Sequence, residues 1–194
     1  MEIYLVRHPR PSRTEGLCYG RTDVPVDPDV LAAAVVSLRS RIPARVLRRA
    51  RIFTSPASRC VGLARELAAP REPRIAAELH EMHFGAWEGL AWESVPRAEL
   101  DAWAIQLWAY RAGGGESAAM VAARWRRWIS AAGIAGQDTP LIAVTHAGLI
   151  RVALAGPCRF GPELARDVPF GSVHRVVIDA IDAVEIDASR TCTP

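Results

Sequence analysis

Short apolar runs that alternate with helical patterns constrain the fold of this 194-residue chain more than any other feature. Bounded by turn residues and only a few residues long, these runs read as buried strands. They cover residues 3–6, 51–55, 75–79, 140–145, 173–178 and 184–186. The run at 140–145 has the clearest signature of a strand with both faces buried.

Helical patterns fill most of the intervals between these strands. Helices are predicted over residues 27–42, from residue 56, over 92–111 with irregularities, over 117–133 and over 147–155. Asp27 or Asp29 caps the first of them. This alternation predicts an α/β fold, a three-layer sandwich with a mostly parallel central sheet and helices on both faces. The length predicts a single domain over residues 1–194.

Composition excludes several classes of function. Half of the residues are hydrophobic and 23% are charged, which is typical of a globular protein that does not enter a membrane. The chain contains no lysine, which excludes a Schiff-base lysine and a Walker-type phosphate loop. The net charge of +3 is mild, and the basic cluster at 45–51 reads as a solvated helix end, so no nucleic-acid partner is expected. Four scattered cysteines and no leader before the first strand predict reduced thiols and a cytoplasmic protein.

Polar residues with a common chemistry follow four of the predicted strands. Arg7 and His8 end the first strand, Arg59 follows the second, Glu81 follows the third, and His146 follows the strand at 140–145. The carboxyl ends of parallel strands meet at one edge of a sheet, so these side chains are expected in one pocket. Histidine is a nucleophile toward phosphorus and arginine fits phosphate oxygens, so the set indicates phosphoryl transfer.

The ordered motifs resemble those of one enzyme family. Arg-His after the first strand is followed by TSPASR, EMHFGAWEG and THAG, in that order, over nearly the whole chain. This set is similar to that of the histidine phosphatase superfamily, also called phosphoglycerate mutase-like. The segments CYGRTDVPV, EMHFGAWEGLAWE and GGGES are most similar to those of its alpha-ribazole phosphatases. The resemblance implies a phosphomonoester hydrolase of cobalamin biosynthesis that acts on alpha-ribazole 5'-phosphate.

The resemblance also implies a role for each matched residue. His8 would be the nucleophile that forms phosphohistidine, and Glu81 the proton donor to the leaving group. Arg7, Arg59 and a protonated His146 would bind the phosphoryl oxygens. Such a site needs neither a cofactor nor a metal, and its partner is a small phosphorylated substrate. His80 and His83 have a spacing found in metal sites, but no third ligand follows at a useful distance.

Further residues are candidates for binding the rest of the substrate. They are Arg10, Gly20, Arg21, Trp103, Trp108, Glu116 and Ser117. The rings of segment 92–110 either stack on the leaving group or pack in the core, and Arg10 either adds a cation or faces solvent. Glu88 and Glu116 are rivals of Glu81 for the role of acid. Pro9 stands where the family has glycine, which removes one backbone N–H near the phosphate.

Other functions on the same fold remain open from the sequence. One is a cofactor-dependent phosphoglycerate mutase, although Met82 stands where the mutases carry arginine after the catalytic glutamate. Another is a phosphatase of broad specificity for small molecules. A third, of a different class, is a catalytically silent binding domain, although this chain keeps all five residues of the predicted pocket. The oligomeric state is not readable from the sequence.

Overall fold

The central sheet of the described chain has five strands, of which four are parallel. The computed structural model describes residues 1–131, 139–156 and 162–178. Its strands are β1 (Glu2–Arg7), β2 (Arg51–Thr54), β3 (Arg74–Ile75), β4 (Leu141–Thr145) and β5 (Val173–Val177). They lie in the order β3-β2-β4-β1-β5, and only β5 is antiparallel to its neighbour. The predicted α/β fold with a mostly parallel sheet is confirmed.

Six α-helices within these ranges cover the two faces of the sheet. They are α1 (Pro28–Arg41), α2 (Ala44–Arg49), α3 (Ser58–Ala68), α4 (Arg97–Ile105), α5 (Ala118–Ala131) and α6 (Ala147–Ala155). Short 3-10 turns occupy Ala77–Leu79, Gly85–Trp87, Trp92–Ser94, Ala112–Gly114 and Pro162–Ala165. Helices α1, α2 and α3 share one buried core with the sheet, and α5 and α6 share the other. The three layers follow from these two cores.

The alternation of side chains along β1 explains how one strand serves both cores. Ile3 and Leu5 pack against α5 and α6, whereas Tyr4 and Val6 pack on the opposite face. Successive side chains of a strand point to opposite faces, so a continuous apolar run is what a fully covered central strand requires.

Asp27 is the residue that caps the first helix. Its side chain accepts a hydrogen bond from the backbone N–H of Asp29 at 2.9 Å, and Pro28 occupies the first turn. A short acidic side chain before a proline satisfies an N–H that the helix leaves without an internal partner. Of the two caps open from the sequence, the structure selects Asp27.

The third predicted strand is the main correction. Only Arg74–Ile75 pairs with β2, and the chain then turns through Ala77–Leu79 instead of extending to residue 79. Both residues of β3 are exposed at the sheet edge, whereas Leu79 is fully buried. The turn carries Leu79 back into the core, where its carbonyl accepts a hydrogen bond from Thr145 Oγ1 at 2.7 Å.

The remaining boundaries shift little. The helix predicted from residue 56 begins at Ser58, segment 92–111 resolves into a 3-10 turn and α4, and α6 has the predicted bounds. The prediction of a strand at 184–186 lies outside the described residues. Within the described ranges, no helix has the length and apolar character needed to cross a membrane.

Candidate active site

Predicted site residues that follow β1, β2 and β4 lie close together, because the carboxyl ends of these three strands are adjacent. The register pairs Arg7 with Thr145, and the backbone N–H of His8 donates to the Thr145 carbonyl at 3.1 Å. The backbone N–H of Ser55 donates to Val144 at 2.9 Å. The residues that follow these strands are therefore neighbours, and the rings of His8 and His146 lie 5.1 Å apart.

His8 is held as a neutral ring with one nitrogen available. Its Nδ1 lies 2.6 Å from the carbonyl oxygen of Pro9, and since a carbonyl only accepts, Nδ1 carries the hydrogen and Nε2 the lone pair. The side chain is 1% exposed. Burial, with smaller contributions from Arg59 and Arg7, lowers the pKa of His8 to about 3. Neutral Nε2 is the form that can attack an electrophile.

Ser55 is the hydrogen-bond partner of His146. Ser55 Oγ accepts from the N–H of Ala57 at 3.3 Å and lies 2.8 Å from His146 Nε2, to which its hydroxyl can donate. In a neutral ring whose Nε2 accepts from Ser55, Nδ1 carries the hydrogen, and this buried nitrogen has no partner among the described residues. Burial, with Coulombic repulsion from His8 and Arg59, holds the pKa of His146 well below its ordinary value. The expectation of a protonated His146 therefore has no support in this structure, which favours a neutral donor.

Two arginines bring positive charge to the same place. Arg59 is 1% exposed, and its Nη2 and Nη1 donate to the carbonyls of Gly20 and Thr22 at 2.7 and 2.9 Å. Arg7 Nη1 donates to the carbonyl of Val168. The Nε atoms of both arginines are buried and lack a partner within the described part of the chain. With His146 Nδ1 they make three buried donors that an anion would satisfy.

The carboxylate of Glu81 is fixed by backbone N–H groups. Its Oε1 accepts from Met82 at 2.9 Å and from Gly148 at 3.1 Å. Gly148 belongs to the first turn of α6, where N–H groups have no helical partner. A side chain at position 148 would place its Cβ 2.5 Å from Oε1, so the approach requires glycine. Glu81, Met82 and Phe84 line the same cavity.

That cavity opens next to Arg7 and Glu81 and has a volume of about 240 Å³. Apolar and aromatic side chains make most of its wall, and Arg151 adds a cation. The apolar and aromatic residues are Leu17, Tyr19, Met82, Phe84, Trp92, Trp103, Leu107, Ala118, Ala147, Val152 and Leu164. Trp92 and Trp103 stack on each other, with ring centroids 6.0 Å apart and planes 6° apart.

The two rivals of Glu81 have other partners. Glu88 accepts hydrogen bonds from the backbone N–H groups of Arg21, Thr22 and Phe84, each at 3.0 Å. Glu116 accepts from Arg21, Arg124 and the N–H of His83. Both carboxylates thus join segments of the framework, and the structure leaves Glu81 as the carboxylate on the cavity wall.

The other candidate binding residues divide into two groups. Gly20 and Trp103 line the cavity. Trp108 packs against the core of α5 and α6 and does not line this cavity. Ser117 is buried, and its hydroxyl accepts from the N–H of Met120 at the start of α5. Arg10 is exposed, with its guanidinium 4.9 Å from the ring of Phe170.

Arg21 and Glu116 form an ion pair at 3.0 Å and, like Ser117 and Arg10, do not line this cavity among the described residues.

Sequence reasoning missed several residues that the structure brings to the site. Tyr19 and Arg151 line the cavity, Ser55 orients His146, and the ring of Phe170 stacks 3.7 Å from the guanidinium of Arg7. Arg151 stands three positions after Gly148 on α6, so helical spacing from the THAG motif was the signal that could have found it.

Metal ligands do not cluster within the described residues. No group of three or more His, Cys, Asp or Glu side chains there could hold a metal ion. Cys60 and Cys18 are buried free thiols. Burial raises the pKa of both, that of Cys18 to about 12, so neither is a thiolate at neutral pH.

Comparisons with known proteins show the family to which the chain belongs. The family model of the histidine phosphatase superfamily (branch 1) matches residues 3–184. Phosphoglycerate mutase from Thermus thermophilus is 32% identical, with 91% of this chain and 92% of that chain covered and a TM-score of 0.69. A mycobacterial glucosyl-3-phosphoglycerate phosphatase, solved as a complex with VO3, is 25% identical, with 90% and 91% covered and a TM-score of 0.72. A comparison with curated proteins found no match.

Proposed function

Because the chain belongs to branch 1 of the histidine phosphatase superfamily, we propose that it hydrolyses phosphomonoesters through a phosphohistidine at His8, without a metal ion. The proposal rests on the surroundings of a neutral, buried His8. Its ring lies 5.1 Å from that of His146, and Arg59 and Arg7 are near enough to lower its pKa, while each of these three residues has a buried nitrogen that lacks a partner among the described residues. A nucleophile next to unsatisfied donors is the arrangement that a transferring phosphoryl group requires.

In the first step, His8 Nε2 attacks phosphorus and the bond from phosphorus to the ester oxygen breaks. Arg7, Arg59 and the N–H of His146 bind the phosphoryl oxygens and offset their charge. Glu81 gives its proton to the departing alkoxide, so the leaving group departs as an alcohol.

The second step returns the enzyme to its starting state. A water molecule attacks the phosphorus of phosphohistidine, Glu81 takes up the proton of that water, and the bond from nitrogen to phosphorus breaks.

Alpha-ribazole 5'-phosphate is the substrate that we propose, because the cavity wall suits its leaving group. The wall beyond Arg7 and Glu81 is mainly apolar and aromatic, which suits a planar base. The indole N–H of Trp103 is buried and has no partner among the described residues, so it can donate to a base nitrogen or a sugar hydroxyl. The segments CYGRTDVPV and GGGES carry the resemblance to alpha-ribazole phosphatases.

A phosphoglycerate-type substrate is the second candidate, and Arg151 is the observation in its favour. This cation lines the cavity and could bind a substrate carboxylate. The similar proteins named above include a phosphoglycerate mutase and a glucosyl-3-phosphoglycerate phosphatase. A mutase would return phosphate to the same molecule, whereas a phosphatase releases inorganic phosphate.

The two candidates are separated by a matched set of substrates. We expect kcat/KM for alpha-ribazole 5'-phosphate to exceed that for ribose 5-phosphate, which has the same ester but no base. It should also exceed the values for 3-phosphoglycerate and glucosyl-3-phosphoglycerate. A preference for the glycerate esters would reject the proposed substrate. Conversion of 3-phosphoglycerate to 2-phosphoglycerate in the presence of 2,3-bisphosphoglycerate would reject it as well.

Trp103→Ala tests whether the indole ring of Trp103 is responsible for the expected preference for alpha-ribazole 5'-phosphate over ribose 5-phosphate. Loss of one stacking partner costs about 1 kcal/mol, or roughly fivefold in kcat/KM for alpha-ribazole 5'-phosphate. Ribose 5-phosphate is the internal control, because it has no ring to stack and should lose little. Equal losses on both substrates would show that Trp103 only packs against Trp92.

A further inference from the structure

Arg124 is a buried charge that the proposed reaction steps do not use. It lies in the middle of α5 and is 4% exposed, between residues that pack in the core. Burying a guanidinium is costly unless its donors are paired, so the positions of its partners reveal what the residue is for. Arg124 donates to the carbonyl of Glu78 at 2.6 Å and to the carbonyl of Glu81 at 3.1 Å. Two more hydrogen bonds, at 3.1 and 3.2 Å, go to the carboxylate of Glu116.

Glu116 extends this contact to the other side of Glu81. Its carboxylate also accepts from the N–H of His83 and from Arg21, each at 3.0 Å. Arg21 Nε in turn donates to the Glu81 carbonyl at 3.3 Å. Two guanidinium groups therefore hold the main-chain carbonyl of Glu81. We call these three residues the Arg21–Glu116–Arg124 cluster.

The cluster contacts a segment that regular structure does not hold. Residues 80–84 form neither helix nor strand, and the carbonyl of Glu81 has only these two side-chain donors among the described residues. The ion pair between Glu116 and Arg124 is charged at neutral pH. Burial opposes ionisation of Glu116, but the hydrogen bonds and charge of Arg124 lower its pKa below the ordinary value. The main chain of Glu81 is thus fixed from outside its own segment.

We infer that Arg124 is a positioning residue for Glu81, and that the Arg21–Glu116–Arg124 cluster places the Glu81 carboxylate at the leaving group. The inference rests on the proposed role of Glu81 as the general acid. Displacing the main chain of Glu81 would also disturb the contacts of its carboxylate with Met82 and Gly148. A shift of about 1 Å in a reacting group can cost a hundredfold in rate.

The test uses two substrates that differ in how much they need an acid. Para-nitrophenolate leaves without a proton, whereas the alkoxide of ribose 5-phosphate does not, so the ratio of their kcat/KM values reports acid catalysis. Glu81→Gln sets the full effect on this ratio, about 10² to 10⁴. Arg124→Met should change the ratio in the same direction by about tenfold or more. Arg124→Lys keeps the charge but loses the planar, forked set of N–H donors of the guanidinium group, so it should have an intermediate effect. Arg127→Met, at an exposed position of the same helix, is the control and should leave the ratio unchanged.

A double-mutant cycle distinguishes positioning from general support of the fold. In the Glu81→Gln background, Arg124→Met should add nothing further to the ratio, because the acid is already absent. Equal losses on both substrates in Arg124→Met, or a further change of the ratio in the double variant, would overturn the inference. If Arg124→Met does not fold, Arg21→Met and Glu116→Gln are measured against the same two criteria. An unchanged ratio in Glu81→Gln itself would instead reject the proposed acid, and with it this inference.

Discussion

Gly148 shows how strictly one position limits the placement of Glu81, the proposed acid. Its N–H donates to the carboxylate of Glu81, and the Cβ of any other residue would lie 2.5 Å from that carboxylate oxygen. The carboxylate would have to move by about 1 Å to reach an ordinary contact distance of 3.4 Å or more. The glycine of the THAG motif is therefore explained by this contact.

Gly148→Ala should reduce kcat/KM for ribose 5-phosphate by about a hundredfold and affect para-nitrophenyl phosphate much less, because only the alkyl ester needs the acid. Steady-state kinetics on the two substrates give the answer. Gly62→Ala in α3 is the control, since its added Cβ meets Leu31 at an ordinary 3.5 Å. Wild-type rates for Gly148→Ala on the alkyl ester would remove Glu81 from the proposed mechanism.

The residues that follow strands were predictable from the sequence, whereas the residues that position them were not. Arg7, His8 and His146 follow β1 and β4, and parallel neighbours place such residues together. Ser55 and Arg124 were not found, because their partners are 91 residues away for Ser55 and as many as 46 for Arg124. Hydrogen bonds of that span leave no local pattern in a sequence.

The loop between β1 and α1 contacts both Arg59, a residue of the proposed phosphate site, and the cavity. Its residues Gly20 and Thr22 offer carbonyls to Arg59, and Tyr19 lines the cavity. Glu88 holds this loop in place by accepting from the N–H groups of Arg21 and Thr22 and from the Thr22 hydroxyl. A long loop in a compact protein was expected to have a function, and this geometry gives it one.

Glu88→Gln should raise KM for all phosphomonoesters by a similar factor, about threefold to tenfold, because the neutral amide accepts fewer and weaker hydrogen bonds and the partners of Arg59 become mobile. Para-nitrophenyl phosphate and ribose 5-phosphate should change alike, unlike in the Glu81 variants. Faster amide hydrogen exchange at Thr22 is the second readout. Glu93→Gln, at an exposed position that does not line the cavity, is the control. A change confined to the alkyl ester would give Glu88 the part assigned to Glu81.

Other elements show where local patterns fail. Residues 75–79 (IAAEL) form a short apolar run with one charged residue, a pattern that predicts a strand, yet only Ile75 of them belongs to β3. The hydrogen bond from Thr145 to the Leu79 carbonyl and the burial of Leu79 favour a turn there. The apolar character of this segment thus reflects the burial of Leu79 in a turn and not a longer strand. The bounds of α6 were predictable because a strong apolar pattern starts directly after His146 and ends at Gly156.

Two buried histidines of the proposed active site make the stability of the whole molecule depend on pH. His8 and His146 are buried in neutral form, with the pKa of His8 lowered to about 3 and that of His146 well below its ordinary value. Below about pH 6.5 the unfolded chain binds protons at these rings that the folded chain does not bind. The free energy of unfolding therefore falls as the pH falls from about 6.5, at up to about 1.4 kcal/mol per pH unit for each ring.

His8→Gln should make this dependence less steep, because glutamine binds no proton in either state. Urea unfolding at several pH values between about 4.5 and 7.5 measures the slope for the wild type and the variant. The carboxylates are common to both proteins, so the difference between the slopes isolates His8. Parallel slopes would mean that His8 binds its proton equally in the folded and unfolded chain, contrary to its buried, neutral state.

If phosphate passes through His8, a phosphoenzyme can be trapped when its hydrolysis is slowed. Glu81→Gln is mixed with para-nitrophenyl phosphate, which can transfer its phosphate without the acid while the second step lacks its base. Alkaline quenching and peptide mass spectrometry should then find one phosphate on His8, with a burst of one para-nitrophenolate per active site. The same experiment on Glu81→Gln combined with His8→Gln should show neither. Phosphate on another residue, or turnover that persists in the His8 variant, would reject His8 as the nucleophile.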